Sequence, residues 1–247
     1  MQRYFLKNEQ FNGQHVTILE EDAHHIGRVM RQKVGDSILV CNELGQCFLV
    51  RLLEVSTHVY AEIIEEIATH AELPISITIA QGLVKGDKFE WVIQKGTECG
   101  AVGFMPVAMS RSVVKLDSKK EKKKTERWQK IAKEAAEQSH RAVLPHVHDV
   151  VTFREVLTLA DRYDVCLFAY EESAKKQEFG QLRQTLERVK PGDKVLMIVG
   201  PEGGISEQEV ESLLAANFKA CALGPRILRT ETAPLYFLNA VSYALEC

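Results

Sequence analysis

The chain has 247 residues, 45% of them hydrophobic and 26% charged, with a formal net charge of −3 at neutral pH. That balance excludes a disordered or low-complexity chain, and no run of about 18 uninterrupted apolar residues is present to cross a membrane as a helix. A protein that coats nucleic acid indiscriminately would be strongly basic, so any nucleic-acid contact must be focused on part of the surface.

The opening MQRYFLKNEQFNGQ has no long apolar core after Arg3, which predicts no signal peptide. Six cysteines, at 41, 47, 99, 166, 221 and 247, include no C-x-x-C pair. They form neither a zinc-ligand set nor a dense disulfide framework and suit a reducing compartment, so a soluble cytoplasmic protein is expected.

Over the first seventy residues, apolar stretches at 15–19, 37–41, 46–55 and 60–67 are separated by turn signals at Gly35-Asp36 and around Gly45, the pattern of short strands. Residues 21–30 are polar-rich with Ile26, Val29 and Met30 at helical spacing, which predicts one helix. Several strands and a helix in so short a span predict a small β-barrel-like domain over 1–72. The pattern breaks at 68–74, and Pro74 marks the boundary.

From 73 to 247 the strands read as continuous apolar runs, at 75–83, 102–108, 164–170, 194–199 and 219–223. Helical stretches lie between them at 87–99, 121–139, 153–160, 179–189 and 206–216. Apolar strands alternating with helices predict an α/β domain with a parallel sheet covered on both faces. A last helix at 232–246 carries Leu235, Phe237, Leu238, Val241, Ala244 and Leu245, apolar on nearly every side. Such a helix is expected to be buried by the chain itself or by a partner subunit.

Charge is uneven along this order. Residues 1–72 carry 6 basic and 11 acidic side chains, whereas 109–145 carry 11 basic and 5 acidic. The basic stretch, with a lysine cluster at 119–124, either directs a phosphate backbone to one face or is a solvated helix face. His24-His25 and His146-x-His148 lack further Cys, His or carboxylate partners at ligand spacing, so no metal site is expected.

In an open parallel sheet, ligands bind beyond the carboxyl ends of the strands. Three such ends stand out: Leu167-Phe168-Ala169-Tyr170-Glu171, then Gly200-Pro201-Glu202-Gly203-Gly204, then the segment from Leu223 to Ala233 that opens the last helix. Ser206 with Glu209 fits a helix-capping box after the glycine loop. The phosphate-binding G-x-x-x-x-G-K-[ST] and the dinucleotide G-x-G-x-x-G are both absent there. A glycine loop alone is either a tight turn or a ligand cradle. A second loop bearing Arg226, Arg229, Thr230, Glu231 and Thr232 at a neighbouring strand end favours the cradle.

GPEGG at 200–204 followed by LGPRILRTETA at 223–233 resembles the paired motifs of the trefoil-knot (SPOUT) methyltransferases. More narrowly, the chain resembles the bacterial family that methylates N3 of a uridine in 16S ribosomal RNA. The likeness spans the whole chain: the MQRYF opening, HHIGRVMR at 24–31, KGDK at 85–88, QKGTE at 94–98, SRS at 110–112 and EAAEQS at 134–139. Cys99 and Gly27 depart from the residues usual in that family.

The resemblance implies a PUA-like RNA-binding barrel over 1–72 and, over 73–247, a trefoil-knotted domain that binds S-adenosylmethionine and forms a homodimer. Cofactor contacts are then expected from Phe168, Ala169, Tyr170, Gly200, Gly203, Leu223, Gly224, Leu228, Thr230, Thr232 and Ala233. A substituent at Gly200 would occupy space the ligand needs. Arg229 is expected to stabilise charge on the base, with Arg226 contacting phosphate or its own loop. Glu202 and Glu231 either accept a proton, orient an arginine or bond backbone amides, and the catalytic base stays open. RNA contacts are expected from Arg28, Arg31, Lys33, Lys85, Lys88 and Arg111, and the partner is the 16S rRNA of the small ribosomal subunit. A non-catalytic ribosome-assembly factor, or an enzyme acting on ribose 2′-oxygen or on transfer RNA, stand as alternatives.

Overall fold

The computed structural model describes residues 1–114, 118–172 and 180–247, and of residues 118–120 the backbone alone. The expected helix start at Phe179 and the side chains of Lys119 and Lys120 lie outside the described residues. No described helix is long and apolar enough to cross a membrane. The chain divides into two compact units, Met1–Glu72 with Ala136–Leu144, and Leu73–Ala135 with Pro145–Cys247.

The first unit is a curled six-stranded sheet. Its strands are β1 (Arg3–Phe5), β2 (Phe11–Asn12), β3 (His15–Ile18), β4 (Ser37–Cys41), β5 (Cys47–Val55) and β6 (Val59–Ile67), in spatial order β1-β4-β5-β6-β3-β2. β1 runs parallel to β4, and the other neighbours are antiparallel. Alternation decides which face is covered: Val16 and Ile18, Ile38 and Val40, Val50 and Leu52, and Val59 and Ala61 all point into one core. β1 and β2, at three and two residues, are too short to show a period in the sequence.

The helix expected at 21–30 is a short α1 (Glu20–His24) that widens into a π-type turn at His25–Val29. Met30 N donates to His25 O at 2.9 Å, a five-residue spacing. The wider turn shifts the phase of the apolar stripe. Ala23 and Ile26 reach the core, while Val29 and Met30, expected on the same face, are exposed.

A disulfide joins Cys41 and Cys47, which face each other across the β4–β5 pair. The absence of C-x-x-C spacing gave no sign of it, because only strand register sets these two residues opposite. Residues 136–144, assigned by sequence to the second domain, are gathered into the first unit by Glu72. Arg141 Nε donates to its two carboxylate oxygens at 2.9 and 3.0 Å, and the amides of Ala142 and Val143 donate to Oε1 at 2.8 and 3.2 Å. Arg141 is buried, and its carbonyl and that of His140 each accept a 2.6 Å bond from the Arg3 guanidinium.

The second unit is a seven-stranded parallel sheet. Its strands are β7 (Ser76–Gly82), β8 (Gly103–Ala108), β9 (His146–Val147), β10 (Val151–Thr152), β11 (Val165–Ala169), β12 (Lys194–Val199) and β13 (Lys219–Cys221). The order is β10-β8-β7-β12-β11-β13, with β9 also beside β8. Its helices are α2 (Lys88–Glu98), α3 (Ser118–Gln138), α4 (Phe153–Leu159), α5 (Gly180–Leu186), α6 (Glu207–Ala215) and α7 (Ala233–Glu246).

Both faces of this sheet are covered. Ile77, Ile79, Val195, Met197 and Leu167 pack in a core that includes Val92 and Ile93 of α2 and Phe237 and Leu238 of α7. Ala80, Leu196, Ile198 and Phe168 pack in the other, with Val210 and Leu213 of α6. Connections leave the central pair β7–β12 in opposite directions, toward β8 on one side and past β11 to β13 on the other. A crevice beyond the carboxyl ends is the expected ligand position at such a divergence.

Burial pushes the Glu72 carboxyl up, but the bonds from Arg141, Ala142 and Val143 outweigh it and hold it below the usual value of 4.5. The stability this contributes is complete above the unfolded pKa and is lost as pH falls through the lower folded value. Glu72→Ala should cost about 3–5 kcal/mol in urea unfolding at pH 7, because it removes the carboxylate that a buried guanidinium and two backbone amides bond to. The variant and the parent should converge as pH is lowered below about 4.5. A variant as stable as its parent at pH 7 would remove Glu72 from this role.

Candidate functional site

Beyond the carboxyl ends of β11, β12 and β13 lies a cavity of about 400 Å³. Three segments line it, at 169–171, 199–205 and 221–233, with Lys88 from the start of α2. Of the residues expected at a cofactor, Ala169, Tyr170, Gly200, Gly203, Leu223, Gly224, Leu228, Thr230 and Ala233 are all there. Two are not. Phe168 points to the opposite face of β11 and is wholly buried against α6, because neighbouring strand residues alternate in direction. Thr232 stands outside the lining, exposed at the N-terminus of α7.

The glycine loop is held from behind. Ser206 caps α6 by accepting from Glu209 N, and the Glu209 carboxylate accepts from Ser206 N at 2.9 Å and from Ser110 N at 2.8 Å. Burial pushes the Glu209 carboxyl up, but these bonds outweigh it and keep it below the ordinary range. Arg111 Nη1 donates to Gly203 O at 3.1 Å. Arg111, one of the residues expected at RNA, also braces the loop.

Two residues absent from the sequence expectations join the loops. Gln81, wholly buried at the end of β7, donates through Nε2 to Thr230 Oγ1 at 2.8 Å and to Gly200 O at 3.2 Å. Thr230 Oγ1 in turn donates to Gly200 O at 2.5 Å. Beside it, Gly82 lies so close to the loop that a Cβ would stand 2.6 Å from Pro201 N. The only signal for either was a Gln-Gly pair at the end of an apolar run. Gly200 also differs from expectation: a Cβ there would meet Ile205 Cγ1 at 2.9 Å and Gly204 C at 3.0 Å, so a side chain would break the loop itself rather than merely fill the cavity. Gly224 stands at φ +80°, where glycine is favoured.

A carboxylate from each of the two motif loops meets Lys88. Its ammonium lies 3.1 Å from Glu202 Oε1 and 3.4 Å from Glu231 Oε2. The Lys85 amide also donates to Glu202 Oε1, at 3.1 Å. Burial pushes the Glu202 carboxyl up, and bonds from its own amide, Lys85 N and Lys88 more than reverse this. The bond from Glu202 raises Lys88 above its ordinary value. Arg226 and Arg229 are exposed at the cavity. The side chains of Lys85, Arg28, Arg31 and Lys33 are exposed. Among the described residues no group of three or more His, Cys, Asp or Glu is placed to hold a metal ion.

A family model described as an RNA methyltransferase domain matches residues 71–242, and one described as an RNA methyltransferase PUA domain matches 18–64. The chain is 49% identical, over its full length and 98% of the relative's, to ribosomal RNA small subunit methyltransferase E of Bacillus subtilis. It is similar to the crystal structure of that enzyme from Neisseria gonorrhoeae bound to S-adenosyl methionine, at 32% identity and TM-score 0.82, covering 98% of this chain and 97% of the other. A Legionella pneumophila putative methyltransferase in complex with SAM matches at 29% identity and TM-score 0.83, with the same two coverages.

Replacing Gln81 by Leu removes the clamp between the loops while keeping a buried side chain of similar size. Ligand affinity at the cavity should fall roughly tenfold, the equivalent of one hydrogen bond at about 1.4 kcal/mol. Calorimetry with S-adenosylmethionine measures this, and unchanged affinity would show that the clamp does not shape the cavity.

Proposed function

The chain belongs to the RNA methyltransferase family of the ribosomal small-subunit enzyme E type, and on that premise we propose that it transfers the methyl group of S-adenosylmethionine to N3 of a uridine in 16S ribosomal RNA. The single observation that carries the reading is the cavity formed jointly by the two loops that hold the family's motifs, 199–205 and 221–233.

The residues present fit S-adenosylmethionine. A cavity of about 400 Å³ is within the range of small-ligand sites. Leu223, Leu228 and Val199 offer apolar walls, and Gly200 and Gly224 allow close backbone approach. The amides of Leu223 and Leu228 have no protein acceptor among the described residues, so they remain available to a ligand's polar edge. When bound, the cofactor supplies an electrophilic methyl group on a sulfonium that leaves as a neutral thioether. The chain's own work is to align the base and to manage charge and proton. Arg229, exposed at the cavity, is suited to the negative charge that develops on the uracil, and Glu171, Glu202 and Glu231 are the carboxylates that line it.

N3 is on the Watson–Crick edge, so the target must be unpaired or flipped out. We assign RNA affinity to the first unit, where Arg28, Arg31 and Lys33 are exposed together with Val29, Met30 and Val34. Lys122 and Lys123 of the lysine cluster are exposed as well. The proposal includes a trefoil knot in the second unit, supported by the family resemblance, and a homodimer. Leu238, which sequence pattern left as either core or interface, is wholly buried within its own chain. The α7 surface available to a partner instead carries Tyr236 and Tyr243, 37% and 77% exposed.

Incubation with small-subunit RNA and S-adenosylmethionine, followed by nucleoside mass spectrometry, should yield 3-methyluridine. A ribose-methylated nucleoside, or no product despite cofactor binding, would contradict the reading. For the dimer, Tyr243→Asp should leave thermal stability of the subunit within about 0.5 kcal/mol, as at an ordinary surface site, and convert the sedimenting species to monomer. A wild-type protein that sediments as a monomer at micromolar concentration would refute it.

A further inference from the structure

Among the described residues Lys88 is the one lysine that lines the cavity, and it is bound by two carboxylates from two different loops. The two do not play equal parts. Glu202 Oε1 is engaged by Lys88 and by the Lys85 amide, and the carboxyl is held below its ordinary pKa after burial is outweighed. A carboxylate so fully bonded is a poor proton acceptor and a good anchor. Glu231 meets the same ammonium at 3.4 Å, yet its buried Oε2 has no hydrogen-bond partner. Beyond that long ion pair, the Glu231 carboxylate accepts no other bond among the described residues. Arg229, on the same loop two residues earlier, has no ion-pair partner among the described residues.

The cavity lining therefore holds a cationic donor, an anionic acceptor and a second cationic donor, in Lys88, Glu231 and Arg229. Uracil shows the complementary sequence on its Watson–Crick edge: a carbonyl, N3–H and a carbonyl. Cytosine shows an amino group, a bare N3 lone pair and a carbonyl, which would set donor against donor and acceptor against acceptor. Sites built to hydrogen-bond a group reject an analogue without it far more strongly than apolar pockets do.

We propose that Lys88 is a catalytic, base-reading residue: anchored by Glu202, it donates to one uracil carbonyl while Glu231 receives the N3 proton and Arg229 faces the other carbonyl. This rests on the N3-methylation reading and deepens it by dividing the work among the cluster. The step balances. The N3–H bond breaks with its proton passing to Glu231, the freed pair on N3 forms the bond to the methyl carbon, and the pair of the broken carbon–sulfur bond stays on sulfur. The ammonium and guanidinium hold the charge that passes through the two carbonyl oxygens.

The test uses the full chain, S-adenosylmethionine and small-subunit RNA made either with uridine or with 5-fluorouridine, whose electron-withdrawing fluorine makes N3–H more acidic. In single turnovers at neutral pH, Lys88→Gln and Glu231→Gln should each slow methylation of uridine RNA by roughly 10²–10³-fold. Calorimetric affinity for S-adenosylmethionine should stay within about threefold of wild type, which also shows that the variants fold. On 5-fluorouridine RNA both variants should recover about tenfold or more relative to wild type, since loss of the N3 proton is then easier. A loss of cofactor affinity equal to the loss of rate would place Lys88 at the cofactor and overturn the proposal. So would an unchanged rate, or a slowed rate that 5-fluorouridine does not relieve. Absence of 3-methyluridine with the wild-type protein would overturn the N3 reading itself, whereas these variant outcomes overturn only the division of roles.

Discussion

A buried amide whose nitrogen bonds both loops ties the cavity together. Gln81 is wholly enclosed, and an unmatched donor there would cost about 1–3 kcal/mol. Its Nε2 makes its shortest bonds to Thr230 and the Gly200 carbonyl, with longer ones to the carbonyls of Gly82 and Val199. One side chain in β7 thereby helps set the separation of two loops whose joined residues, Gly200 and Thr230, are 30 positions apart in sequence. Close contact reinforces it, since Gly82 admits Pro201 to a distance no side chain would tolerate. The cavity is the space left between loops fixed in this way.

The parallel sheet supplies the frame for that clamp. Register places Gln81 beside Val199 in the β7–β12 pair, so both strands end at the same level. Burial on both faces makes these strands rigid and leaves only their carboxyl ends free to carry polar chemistry. Positions beyond those ends hold the charge of the cavity lining, in Lys88, Glu171, Glu202, Glu231, Arg226 and Arg229. A protein with a small negative net charge therefore concentrates opposed charges at one opening.

Much of this was legible in the sequence, and the exceptions have physical causes. Continuous apolar runs marked β7, β8, β11 and β12 because strands covered on both faces have no polar alternation to show. The glycine loop and the segment after β13 were legible because a capping box and turn residues punctuate them. Phe168 was misplaced because a fully apolar strand hides which residue faces which layer. Gln81 escaped notice because a lone buried amide has no periodic signature, and its partners are remote in sequence. Lys88 and Arg111 read as surface cations since only folding shows that carboxylates and carbonyls claim them. The move of residues 136–144 into the first unit follows from Glu72, whose partners at 141–143 no local pattern announces.

The central claim is that the loops at 199–205 and 221–233 act as one ligand cradle under a common clamp. Amide hydrogen exchange on the full chain, with and without saturating S-adenosylmethionine, tests it most directly. The account predicts slowed exchange in both loops and at 169–171 together, rising in parallel as the ligand is titrated. Protection of one loop without the other, or protection confined to the first unit, would contradict it.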